Sequence, residues 1–238
     1  MFNAHEYLNG LTNWEPRLHQ AGVSSFSLAR MEKLLIAMGK PDDKLKFAHV
    51  AGSKGKGSTC VFLAGIMRAA GYRVGLYTSP HLYSVRERIR VLEPLNEKGR
   101  LRGGLEEARV KREDGRAGGE NSAGLFEGCI TDKELTDRVR FYKDDIEALR
   151  AAGEDVTYYE VLTALAVSHF AATQCDIVVL ETGLGGRLDA TNIFETSVCG
   201  ITPVGMEHTA ILGDTLGAIA RVYRRQKRIL YSFLHHNI

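Results

Sequence analysis

Leu28, Met31, Leu34, Leu35 and Met38 recur at three- and four-residue steps within segment 24–40, behind a run of serines and ahead of Gly39. That spacing predicts a helix with one apolar face, a serine cap and a glycine stop. Segment 46–50 reads as a short buried strand running into the glycine-rich Ala51-Gly-Ser-Lys-Gly-Lys-Gly-Ser-Thr59. From Ser58 to Ala70 the residues are apolar almost all round, which predicts a helix buried inside an α/β layer and closed by Gly71. A second strand is expected over 72–78. Strand, glycine loop, helix and strand within about 30 residues form a βαβ unit.

The pattern breaks between Glu93 and Gly128. These 36 residues hold 8 glycines and 15 charges but only six large aliphatic or Phe side chains, too few for burial to repay the entropy of ordering them. A flexible surface insertion is expected over 93–128, with a functional lid as the alternative. Helical periodicity returns over 131–150 and 158–173. Asp176–Leu180 is a continuous β-branched run, the mark of a strand covered on both faces, and it ends in Glu-Thr-Gly-Leu-Gly-Gly-Arg-Leu-Asp-Ala-Thr-Asn. A third core strand is expected over 197–204, and a short helix from Thr215. The predicted fold class is therefore α/β, a largely parallel sheet flanked by helices.

Composition narrows the possibilities without choosing among them. At 44% hydrophobic and 25% charged, the 238-residue chain is neither disordered nor collagen-like, and it is long enough for a sizeable core. Its net charge of +2 argues against nucleic acid as a global partner. Residues 221–238 carry five basic side chains and no acid, and are read as a solvated tail. No apolar run approaches the ~20 residues of a membrane helix, so no membrane partner is expected. The N-terminus lacks the basic-then-apolar order of a secretion signal. Cys60, Cys129, Cys175 and Cys199 are widely spaced with no CxxC pair, consistent with reduced thiols and a cytoplasmic location.

The candidate chemistry gathers at the ends of predicted strands. In the loop Gly52–Ser58, glycines let main-chain N–H groups approach phosphate oxygens, and the following helix adds its positive end. Lys54, Gly55, Lys56, Gly57 and Ser58 are the candidate ATP-binding residues, with Lys56 reaching terminal phosphates and Ser58 offering a hydroxyl to Mg²⁺. The spacing is two residues short of the strict Walker pattern. Glu181 closes an apolar strand, where an α/β sheet presents ligands, and is a candidate Mg²⁺ carboxylate. His208 and Ser79 follow other strands toward the same edge and are further metal candidates, with a structural histidine and a proline turn as the alternatives.

Together these segments resemble the folylpolyglutamate synthase/dihydrofolate synthase family of the Mur ligase superfamily. The resemblance rests on HVAGSKGKGST, GYRVGLYTSPHL, RERIRV, TYYEVLTALA, VVLETGLGGRLDATN and ITPVGMEHTAILGDTL, which occur in the family's order. It implies a P-loop-like ATPase domain and an ATP-dependent ligase that joins L-glutamate to a folate or dihydropteroate carboxylate through an acyl phosphate. It implies two Mg²⁺ ions, one on Ser58 and Glu181 and a second on Ser79 and His208, with Lys56 and His208 in catalytic roles. Thr157, Tyr158, Tyr159, Glu160, Arg187, Leu188 and Asp189 match the segments that contact the pterin or folate; core packing is the alternative for the two tyrosines. A monomer is expected. Another Mur-type amino-acid ligase and a non-catalytic nucleotide-binding remnant are the competing functions.

The sequence departs from the family at three places. Ser53-Lys54 stands where Thr-Asn is common, and the 93–128 insertion is extra. Tyr223 occupies the position of a lysine that the family carbamylates to hold the second metal. The expected organisation is an ATP-binding domain over 1–220, an atypical basic tail over 221–238 and no C-terminal ligase domain, as an interrupted reading frame would leave.

Overall fold

The computed structural model describes residues 2–22, 25–95, 126–224 and 231–232. The expectations for the body of the 93–128 insertion and for most of the basic tail lie outside these residues. A six-stranded sheet organises the rest, in the order β3-β2-β4-β1-β5-β6. Its strands are β1 (Phe47–Ala51), β2 (Val74–Tyr77), β3 (Ile89–Leu92), β4 (Ile177–Glu181), β5 (Thr196–Ile201) and the two-residue β6 (Tyr231–Ser232). β4 pairs parallel with both β1 and β2, and β5 pairs parallel with β1 and β6. Only β3 runs antiparallel, at the edge beside β2. β1 is buried along its whole length, as its place between two parallel neighbours demands. Because β4 lies between β1 and β2, loops from separate parts of the chain converge at one end of the sheet.

The helices are α1 (Ala4–Asn9), α2 (Leu28–Ala37), α3 (Lys56–Ala69), α4 (Asp132–Ala151), α5 (Tyr158–Ala172), α6 (Thr209–Leu212) and α7 (Leu216–Arg224). Side chains alternate across β1: Phe47 joins the core under α2, α4 and α5, whereas Ala48 and Val50 pack beneath α3. α2 begins at the predicted serine, Ser27, whose hydroxyl accepts the Arg30 N–H. α4 and α5 each open with a capping box, Thr131 with Glu134 and Thr157 with Glu160, which satisfies two orphan donors per helix. α7 crosses the 220 boundary and runs to Arg224.

The expectation of a helix buried all round after the glycine loop is corrected. Only Cys60 and Ala64 of α3 are fully buried, while Phe62 and Ile66 stand 73% and 66% exposed. The sheet takes a single stripe of this helix, and no described element covers its outer side. The helix enclosed on every side is α5, buried continuously from Glu160 to Phe170 between the sheet and α2 and α4.

Candidate active site

The glycine loop is built against the chain that leaves β5. A Cβ at Gly52 would lie 2.1 Å from Thr202 Oγ1 and 2.7 Å from its carbonyl oxygen, at a φ of +132°. Only glycine fits this crossing. Ser53 N–H donates to the Pro203 carbonyl at 3.0 Å, and the Ser53 hydroxyl exchanges hydrogen bonds with the Gly205 N–H and carbonyl. Gly55, at φ +80°, turns the chain into α3 with no cap from its own side chain, so the first amides of that 14-residue helix, apart from the Gly57 N–H that Glu181 takes, keep their capacity for an anion. Lys56 folds back over the loop, its Nζ donating to the Gly52 and Ser53 carbonyls at 2.8 and 3.3 Å. Lys54 and Ser58 are exposed at the same rim.

Glu181 joins this loop to a second one. Its Oε2 accepts the Ser79 N–H at 3.1 Å, the carboxylate also draws on the Gly57 N–H, and a Cβ on Gly57 would sit 3.3 Å from it. Burial raises the Glu181 pKa, opposed by those two amides and by the Lys56 charge. A half-satisfied carboxylate beside a hydroxyl-bearing helix start is a hard oxygen donor set that fits Mg²⁺ held jointly with phosphate oxygens. No cluster of three His, Cys, Asp or Glu side chains suited to a metal occurs among the described residues. Any such ion would therefore depend on hydroxyls, ligand oxygens and water.

Ser79 and His208 both line a cavity of about 610 Å³, together with Thr157, Tyr159, Glu160, Leu188 and Asp189. Seven residues predicted from the sequence thus share one wall system. His208, at φ +46°, is the exposed residue at the start of α6. Thr157 and Glu160 have structural work there as well: Glu160 closes the α5 cap and takes the half-buried Arg30 in an ion pair. Tyr158 points elsewhere. It packs under the Arg88 guanidinium, 5.6 Å from its ring centre, and lines a separate hollow. Arg187 is exposed beside a smaller groove with Phe26 and Ile211, outside the main cavity.

The cavity also contains residues that the sequence did not point to. Trp14, Glu15, Phe26 and Arg88 line it. Arg88 is buried and meets Glu15 in a two-pronged pair at 2.6 and 2.7 Å. Burial works against its charge, but the Glu15 bonds outweigh that and raise its pKa further. Its Nε–H donates to His81 Nδ1 at 2.9 Å, leaving the histidine's other nitrogen to carry the ring proton. The 73-position separation of Glu15 and Arg88 explains why no spacing signalled the pair; the lone tryptophan was a signal available for this wall.

Asp189 braces the glycine turn after β4. It accepts the Leu184 N–H at 2.8 Å and the Thr191 N–H at 2.9 Å, tying the turn's start to its end. Burial raises its pKa against these bonds. Behind it lies His49, whose Nε2 is 2.7 Å from Thr191 Oγ1 and 3.0 Å from Thr182 Oγ1.

No family model matches the chain. It is 36% identical over 217 residues to a probable bifunctional folylpolyglutamate synthase/dihydropteroate synthase of Haloferax volcanii, covering 91% of this chain and 21% of that protein. To the dihydrofolate synthase/folylpolyglutamate synthase of Bacillus subtilis it is 35% identical over 195 residues, 81% of this chain and 37% of that one. Among solved structures, an FPGS–AMPPCP–folate complex superposes with a TM-score of 0.69 at 29% identity, over 93% of this chain and 45% of that chain. The chain thus spans between about a fifth and under half of the proteins it matches.

Proposed function

The chain belongs to the folylpolyglutamate/dihydrofolate synthase family, and we propose that it contributes the Mg·ATP and pterin half of an ATP-dependent ligase. The acceptor is a folate or dihydropteroate carboxylate, and the amine is that of L-glutamate. The observation that carries this proposal is the junction at Glu181: one carboxylate meets the glycine loop and the Ser79 loop, and Ser79 in turn lines the 610 Å³ cavity. A triphosphate over the loop and a carboxylate-bearing ligand in the cavity would meet there. The relatives' names, and the AMPPCP and folate named for the solved complex, support the same pairing.

In the proposed sequence the acceptor carboxylate attacks the γ-phosphorus of ATP, ADP leaves, and an acyl phosphate results. The glutamate amine then attacks the acyl carbon, phosphate leaves, and the amine proton passes to solvent. Bound Mg²⁺ would neutralise phosphate charge, with Ser58 and Glu181 as its first holders and Ser79 and His208 toward a second ion. This chain's own share is positioning. The amides at the start of α3 take phosphate oxygens, Lys56 exchanges the Gly52 and Ser53 carbonyls for a terminal phosphate, and Tyr159 offers a ring face in the cavity. The proposal includes Arg187 only as a rim contact and gives Tyr158 a packing role. The ATP-binding unit over 1–220 is part of the same proposal.

Two assays test it. Purified chain incubated with Mg·ATP, dihydropteroate or tetrahydrofolate, and labelled glutamate separates the readings: glutamylated product supports the ligase, and nucleotide binding without turnover supports a non-catalytic module, to which Tyr223 in place of the family's lysine points. Lys56→Ala should weaken Mg·ATP binding at least about tenfold in calorimetry, because a desolvated phosphate loses its charge-assisted partner. Unchanged affinity in that variant would remove the phosphate-loop assignment.

A further inference from the structure

We infer that His49, a buried ring in the middle of β1, is a positioning residue for the cavity wall: as an Nε2–H donor to Thr191 it commits the Thr191 hydroxyl hydrogen to Asp189. This rests on the pterin-cavity reading above and names a residue which that reading does not use.

A histidine at the centre of a buried strand needs a reason, because a polar ring without partners is costly in the interior. His49 is completely buried, on the same face of β1 as Phe47. Its Nε2 lies 2.7 Å from Thr191 Oγ1, and that oxygen donates to Asp189 Oδ1 at 2.5 Å. A hydroxyl has one hydrogen to give. With that hydrogen on Asp189, Thr191 can only accept from His49 at 2.7 Å, so the ring proton sits on Nε2, and Thr182 Oγ1 at 3.0 Å is the longer, secondary contact of that nitrogen. Nδ1 is buried with no hydrogen-bond partner among the described residues, as suits the bare nitrogen of this tautomer. Burial, which lowers the ring's pKa to about 4, keeps it neutral near pH 7.

The consequence is directional. Asp189 Oδ1 accepts both the N–H and the hydroxyl of Thr191, and Oδ2 accepts the Leu184 N–H. These bonds set the turn whose Gly183, Leu184, Leu188 and Asp189 face the cavity. If His49 loses its donor, the Thr191 hydroxyl is no longer oriented from behind, and the wall relaxes without any ligand contact being removed. The phosphate strand and the cavity wall are thus linked through the Thr191 hydroxyl, with Thr182 Oγ1 also within 3.0 Å of the same ring nitrogen.

The test uses the full chain and three variants. His49→Gln can place an amide N–H near the position of Nε2–H, His49→Asn carries its N–H near the place of Nδ1, and His49→Leu has none. Pteroic acid is the probe, followed through quenching of Trp14, the sole tryptophan and a cavity residue. His49→Asn and His49→Leu should bind it about tenfold more weakly and His49→Gln within about threefold of wild type, the scale of one lost buried hydrogen bond. Mg·ATP affinity should be unchanged in all three. Equal pteroate affinity in the Gln and Asn variants would overturn the inference, and that comparison stands even if the Leu variant does not fold. Nitrogen-15 spectra of the wild-type ring provide a separate arm: an Nε2–H tautomer at neutral pH is expected, and an Nδ1–H tautomer overturns the inference. If wild type ignores pteroate, the pterin reading falls, and the tautomer alone decides whether His49 holds Thr191 as described.

Discussion

Glu181 is costly to the ligand-free protein. Burial raises its pKa, so the folded state favours the protonated acid. Its contribution is therefore most favourable at low pH and is lost as pH rises from the unfolded-state value through the folded one. At neutral pH Glu181→Gln should melt above wild type in the presence of chelator, and Mg·ATP should no longer raise its Tm. A melting point below wild type at pH 7 would show that the Ser79 and Gly57 amides already outweigh the burial cost. At this scale the sequence was readable where a residue's role follows from its neighbours along the chain. An acid ending an apolar strand and glycines before a helix are local facts. The Arg88–Glu15 pair and the Arg30–Glu160 pair are not, since each joins side chains far apart in sequence.

At the scale of elements, close packing decides which substitutions matter. A Cβ at Gly75 in β2 would lie 2.7 Å from the Phe170 ring, so Gly75→Ala should cost about 1–3 kcal/mol in denaturant unfolding as strand and helix are forced apart. Gly183→Ala brings a Cβ to 2.6 Å from the Tyr159 ring, which stands in the cavity, so it should impair pteroate binding more than stability. Phe62→Ser on the bare side of α3 should change stability by no more than about 0.5 kcal/mol, as at any exposed position. A large loss there would mean that the face is covered in solution. The start of α2 was legible from its serines, where Ser27 caps by local geometry, and those of α4 and α5 from periodicity, with Thr131 and Thr157 as the caps the structure adds. Which helix was enclosed was not: α3 and α5 are both apolar in sequence, and only their neighbours distinguish them.

For the molecule as a whole, the candidate site is a seam between loops from β1, β2, β4 and β5. Mg·ATP bound across it should stabilise the entire sheet, by about 2.7 kcal/mol at a hundredfold excess over Kd, or about 5–10 °C in Tm for a chain of this size. A calorimetric scan without a shift at that excess would mean that the folded chain does not bind the nucleotide. The sequence alone pointed to the βαβ start, to β1, β2, β4 and β5, to helices α2 to α5 and to the family, because each is written in short-range periodicity and backbone demands, whereas α1 and the edge strand β3 carried no such signal. The insertion of β4 between β1 and β2 was decided only in three dimensions, and it carries Glu181 to Ser79 across 102 residues. So too was the contact between His49 and Thr191 across 142 residues. Such pairings depend on sheet order and register, which come from the competition of all strands and helices to bury their faces, and no stretch of the chain encodes that outcome by itself.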